Sequence, residues 1–96
     1  MLEVRQSEVF AHWFAHLPDA IAKRRIAQRV VRLQSGLFGD AKSVGGGIAD
    51  LRVDHEPGYR HYFVRTRETT ILLLWGGDKS TQRRDIARAK ALTSEL

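Results

Sequence analysis

Residues Thr69 to Trp75 read TTILLLW, and no other stretch constrains the fold of this chain as much. The run is apolar without alternation, which suits a β-strand buried on both faces. At five residues its core, Ile71 to Trp75, falls far short of the about 20 that cross a bilayer as a helix. A strand of this kind calls for a sheet around it and helices packed on that sheet.

The neighbouring sequence supplies both. Leu51 and Val53 alternate with Arg52 and Asp54, the EPGY of Glu56 to Tyr59 makes a turn, and Arg60 to Thr66 returns as the second strand of a hairpin. Leu2 to Gln6 alternates as a short strand, and Ser7 can cap a helix that begins near Glu8 and carries Phe10, Trp13, Phe14 and Leu17 on one side. Pro18 and Asp19 interrupt that helix and start a second, Ile21 to Gln34, with Ala22, Ile26, Val30 and Leu33 as its apolar stripe and Gly36 closing it. Leu37 to Gly47, LFGDAKSVGGG, has no period and reads as a flexible connection or a functional loop. Ser80 or Thr81 can cap a last helix reaching Leu92, with Asp85 early and Lys90 late, as the helix dipole prefers. The predicted order is βααβββα, an α+β fold in which an antiparallel sheet packs against two N-terminal helices and a C-terminal helix.

Ninety-six residues support one domain, spanning 1–96, with one modest core. A hydrophobic fraction of 43% and only two prolines describe a folded, soluble chain. The absence of cysteine removes disulfides and thiolate zinc sites, nothing at the N-terminus resembles a signal peptide, and the expected setting is the cytoplasm. Sixteen Lys and Arg against eleven Asp and Glu leave a net charge of +5, which favours an anionic partner such as nucleic acid, an acidic protein or an anionic membrane. Ordinary solubilising charge explains the same number.

Individual motifs are weaker. GGDKST at Gly76 to Thr81 sits between a strand and a helix, but it lacks the earlier glycine of a P-loop, and the fold lacks the parallel α/β unit that would hold a nucleotide. What survives is a turn whose backbone N–H groups, with Lys79, can hold one phosphate; otherwise the two glycines only let the chain turn. Lys23, Arg24, Arg25, Arg29 and Arg32 form a basic stripe on the second helix, either a phosphate contact or a solvated face. His12 and His16 have the spacing of two metal ligands on one helical turn, yet no third ligand accompanies them, so they read as exposed ordinary residues and no metal or other cofactor is expected.

The hairpin carries the most chemistry. If Leu51, Val53, Tyr59 and Phe63 face the helices, Arg52, Arg60 and Tyr62 share the other, open face, while His61 turns to the helix side as a partly buried residue. Arginines grip phosphate and stabilise a phosphorane, and tyrosine stacks on a base, so the set fits an RNA site that needs no metal. A salt-bridged surface with Asp54 and Glu56 is the alternative.

Taken in order, LRV (Leu51 to Val53), PGYRHYF (Pro57 to Phe63) and GGDKSTQRRDIARAKAL (Gly76 to Leu92), together with GLFGDAKSVGGG (Gly36 to Gly47), resemble the RelE/HigB-like toxins of bacterial type II toxin-antitoxin modules, in the branch labelled addiction-module killer protein. The resemblance covers nearly the whole chain. It implies a compact toxin fold and a ribosome-dependent mRNA endonuclease that arrests translation. It also implies a cognate antitoxin, a helix-turn-helix protein through which the toxin would meet operator DNA, with ribosome and mRNA as the other partners and no membrane.

On the matching positions, Arg60 and Arg52 take the catalytic roles, Lys79 contacts an RNA phosphate, and Tyr62 stacks on a base or donates a proton. Many relatives place an acid, histidine or tyrosine near the C-terminus, whereas no histidine or tyrosine follows Tyr62 here, so the general base is unassigned. That gap keeps two alternatives: a ParE-like toxin that inhibits DNA gyrase by protein contact, and a nuclease-dead binding module.

Overall fold

The computed structural model describes residues 2–39, 41–55 and 58–93. The chain forms β1 (Glu3–Gln6), α1 (Glu8–Ala15), α2 (Ala20–Gln34), β2 (Ala41–Gly45), β3 (Ile48–Val53), β4 (Tyr59–Arg67), β5 (Thr70–Asp78), a single 3-10 turn (Lys79–Thr81) and α3 (Gln82–Thr93). The five strands make one sheet in the order β1-β5-β4-β3-β2, antiparallel except for the β1–β5 pair. The α+β architecture is the expected one, with one strand more than the order read from the sequence.

Local chemistry sets the helix ends. Ser7 caps α1 by accepting from the Phe10 N–H at 3.0 Å, and its hydroxyl donates to the Leu74 carbonyl at 2.8 Å, so one side chain both starts the helix and ties it to β5. Asp19 caps α2 by accepting from the Ile21 and Ala22 N–H groups, and the Ala22 bond, against an opposing effect of burial and aided by the hydrogen bond and charge of His55 at 3.1 Å, holds its carboxyl below the usual range. Gly36, at φ 76°, ends α2 in the left-handed conformation.

The additional strand falls in LFGDAKSVGGG. Ala41–Gly45 pairs with β3, and Gly46 and Gly47, at φ 65° and 77°, form the two-residue hairpin turn. The glycine run is therefore a tight turn and no loose connection, because positive φ at both central residues matches the right-handed twist of the flanking strands. This pairing also starts β3 at Ile48, three residues before the expected beginning at Leu51.

Each face of the sheet carries its own core. Phe10, Ala22, Ile26 and Leu33 from α1 and α2 pack on Leu51, Val53, Tyr59, Phe63, Ile71 and Leu73. On the opposite face Ala89 of α3, with Ile86 and Leu92 partly buried, packs on Ile48, Tyr62, Val64 and Leu74. The TILLLW run is thus buried from both sides, as its unbroken apolar character requires.

β5 departs from strict alternation at one point. Tyr62 pairs with Trp75 while Phe63 pairs with Leu73, so Leu74 is an extra residue, a bulge that turns Leu74 and Trp75 together toward α3. Beyond it the strand continues through Gly76, Gly77 and Asp78, in place of the expected glycine turn. The reason for glycine is close approach: a β-carbon on Gly76 would overlap the Trp13 ring of α1, and one on Gly77 would overlap the Asp85 carboxylate of α3.

Candidate functional site

The residues singled out on the hairpin come together on the α3 side of the sheet. In the β3–β4 register Arg52 lies opposite Arg60 and Asp50 opposite Tyr62; in the β4–β5 register Arg60 lies opposite Gly77 and Tyr62 opposite Trp75. Directly opposed side chains of an antiparallel pair sit about 5 Å apart, so the four hairpin residues form a compact block. Gly77 leaves a gap at the end of the Arg52–Arg60 row, and Asp85 reaches into it from α3.

Two like charges set opposite each other repel unless an anion compensates. Asp50 does so: Arg60 Nη1 donates to Asp50 Oδ2 at 3.2 Å, with 12% of the arginine side chain and 1% of the aspartate exposed. Asp50 Oδ1, Arg52 Nε and the Tyr62 hydroxyl are also buried, and none has a hydrogen-bond partner among the described residues. A cluster of orphaned polar atoms on one face is unusual for a packed core, where such groups are paired.

Burial, followed by the nearby charges of Asp85 and Asp50, pushes the Tyr62 phenol up to about 12, with Arg60 and Arg52 pulling weakly the other way. At neutral pH it is a proton donor and no base. Asp85, 2% exposed, accepts from Trp75 Nε1 at 2.7 Å and from the Thr81 hydroxyl, while the Arg88 guanidinium lies 4.3 Å from the Trp75 ring centroid. These contacts fasten α3 across the block.

Strand alternation thus assigns the faces correctly but leaves out α3. Arg52, Arg60 and Tyr62 do share a face, with both arginines partly exposed, but Tyr62 is completely buried against α3, so its ring is not free to stack on a base in this arrangement. His61 is on the helix side, packed edge-on against Phe10 with ring centroids 6.0 Å apart. Burial, and secondarily the Arg29 charge, lowers its imidazole to about 4.

Lys79 is exposed in the 3-10 turn, beside Gly58 at the start of β4. In that turn the Asp78 carboxylate accepts from the Ser80 N–H at 2.8 Å and from the Ser80 hydroxyl, so this N–H is taken up by a carboxylate of the chain itself and the Lys79 ammonium is the group left for an anion. His12 on α1 and His16, its C-cap, are exposed with ring centroids 4.1 Å apart, His16 Nδ1 bonding the His12 carbonyl at 2.9 Å. Among the described residues no group of three His, Asp or Glu side chains is placed to hold a metal ion, and no helix is long and apolar enough to cross a membrane.

Asp50 and Asp85 are the members of this block that sequence patterns did not reveal. Asp50 was legible in principle, since it stands two residues before Arg52 and shares its face once β3 is extended back to Ile48. For Asp85 the only signal was its place early in a helix, which capping and dipole preferences explain equally well.

This architecture is the RelE fold: the free-state structure of a mutant of the E. coli toxin RelE superposes with a TM-score of 0.72 over 99% of this chain and 98% of that one, at 13% sequence identity. No protein-family model matches the sequence. The chain belongs to the same family as a Haemophilus influenzae protein described as uncharacterized, with which it is 44% identical over 95 residues, covering 99% of this chain and 96% of the relative.

Proposed function

We propose that the protein is the toxin of a type II toxin-antitoxin module and that it cleaves mRNA on the ribosome. The observation that carries this reading is the opposed Arg52–Arg60 pair beside a protonated tyrosine, on a RelE fold. In the reaction the ribose 2′-oxygen attacks the adjacent phosphorus, the P–O bond to the 5′-oxygen breaks, and the products are a 2′,3′-cyclic phosphate and a 5′-hydroxyl end. Arg52 and Arg60 stabilise the charge that gathers on the phosphoryl oxygens, and Tyr62 gives its proton to the leaving 5′-oxygen. Asp50, whose Oδ1 is unpartnered, is the carboxylate best placed in this block to take the 2′-OH proton. Lys79 contacts a flanking phosphate.

Arg52 and Arg60 are partly exposed, whereas Tyr62 and Asp50 are fully buried, so RNA reaches the last two only when the side chains around them move aside. The partners of this reading are ribosome, mRNA and an antitoxin encoded beside the toxin. Inducible expression followed by mapping of mRNA 5′ ends tests it: wild type produces new ends within translated codons, and Arg60→Ala does not. Growth arrest with uncut transcripts removes the nuclease reading. The same burial favours one rival, a ParE-like toxin that acts on DNA gyrase by protein contact, for which induction gives DNA-damage signalling with intact mRNA.

A further inference from the structure

The basic stripe of α2 takes no part in the block beneath α3. The helix sequence, AIAKRRIAQRVVRLQ, contains Lys23, Arg24, Arg25, Arg29 and Arg32 and no acidic residue. Lys23 leaves the group, since its ammonium lies 3.4 Å from the Ala15 carbonyl and 5.3 Å from the Phe14 ring centroid. The four arginines remain, at helical spacing along one side, and line a concavity of about 500 Å³ between α2 and the end of β3.

No ion pair found among the described residues involves these arginines. Arg25 instead donates to the Asp54 backbone carbonyl at 3.0 Å, which fixes its guanidinium at the rim of the groove. Like charges one helical turn apart repel, so four arginines without an ion pair, facing Asp54 as the single acidic residue of the groove lining, leave a net positive row that attracts anions. From Arg24 to Arg32 the row runs about 12 Å along the helix axis, room for several successive phosphates. A guanidinium binds phosphate through a planar fork and keeps its charge at any physiological pH. A polypeptide partner would need apolar anchors, and the groove offers only Ile21 and Val53.

We infer that this groove is a second anion site, a docking surface for the sugar-phosphate backbone of folded RNA. The choice of RNA as the polyanion rests on the nuclease reading above. Its rim residues Val53, the last of β3, and Asp54 directly follow Arg52, so RNA lying along α2 passes the strand end from which Arg52 faces the opposite side of the sheet. Docking here adds affinity without base contacts, and its signature is a steep salt dependence.

The test is anisotropy of a labelled RNA hairpin titrated over a range of salt with wild type, an Arg24→Gln/Arg25→Gln/Arg32→Gln variant, and an Arg83→Gln/Arg84→Gln variant that removes exposed charge from α3. The groove predicts at least tenfold weaker binding for the triple variant at low salt and a log K against log salt slope shallower by about 2, at roughly 0.7 to 0.9 for each phosphate that is no longer neutralised. It predicts a smaller change for the α3 variant. An unchanged slope in the triple variant, equal losses in both variants, or displacement of RNA by polyglutamate at equal charge concentration overturns it. Binding through the stripe by a wild-type protein that cuts no mRNA would remove the nuclease and leave the groove standing. Cleavage by a triple variant with unaltered binding would do the reverse.

Discussion

His61 makes folding stability depend on pH in a defined window. Its ring is fully buried against Phe10, and neither nitrogen has a partner among the described residues. An unfolded imidazole takes up a proton below its ordinary 6.5, whereas the folded one does so only below about 4. Between those values the unfolded chain binds more protons, so stability from this group is complete above 6.5 and is lost as pH falls toward 4. Linkage puts the loss at about 2 kcal/mol by pH 5 and about 3 kcal/mol by pH 4. His61→Leu removes the titration and the two orphaned nitrogens, and should raise stability at pH 7 by about 1 kcal/mol or more. Urea unfolding of both proteins from pH 7 to pH 4 measures the difference directly. Parallel loss of stability in wild type and variant would show that His61 is solvated or paired in the folded protein, contrary to its place in the core.

Three further perturbations address the α3 face and the helix ends. Gly77→Ala drives a β-carbon into the Asp85 carboxylate, disturbing the bonds from Trp75 and Thr81, and should cost about 3 to 5 kcal/mol in urea denaturation, with a loss under about 1 kcal/mol contradicting the close approach. Tyr62→Phe removes an unpartnered buried hydroxyl, so the thermal midpoint should hold or rise, while cleavage should fall by about 10²-fold or more if the phenol is the acid. Unchanged cleavage would assign the proton to another group. Ser7→Ala loses the α1 cap and the tie to Leu74, for about 1 to 2 kcal/mol by chemical denaturation.

Much of the fold was legible because it is written in short-range chemistry. Ser7, Asp19 and Gly36 act where their types predicted, and the alternation of Leu51, Val53, Tyr59 and Phe63 placed Arg52, Arg60 and Tyr62 on one face. Strand β2 was hidden because AKSVG is short, weakly apolar and an edge strand, so one neighbour supplies its pairing and little of its burial. The Leu74 bulge was hidden inside a run of identical apolar letters, where a slip in phase leaves no trace. Glycines 76 and 77 read as a turn because close approach by Trp13 and Asp85 is a tertiary fact. The site suffered most from long-range packing: strand alternation identifies a face, but it does not say that α3 lies across it or that Asp50 and Asp85 join the arginines there.

The proposed nuclease is tested most directly with purified components. Ribosomes programmed with a defined mRNA and stalled with an empty A site are incubated with the protein, and the 5′ ends of the products are mapped by primer extension. The expected result is a cut within the A-site codon that depends on the ribosome and is lost with Arg60→Ala. Intact mRNA on ribosomes with wild-type protein, or equal cleavage by wild type and Arg60→Ala, would contradict it.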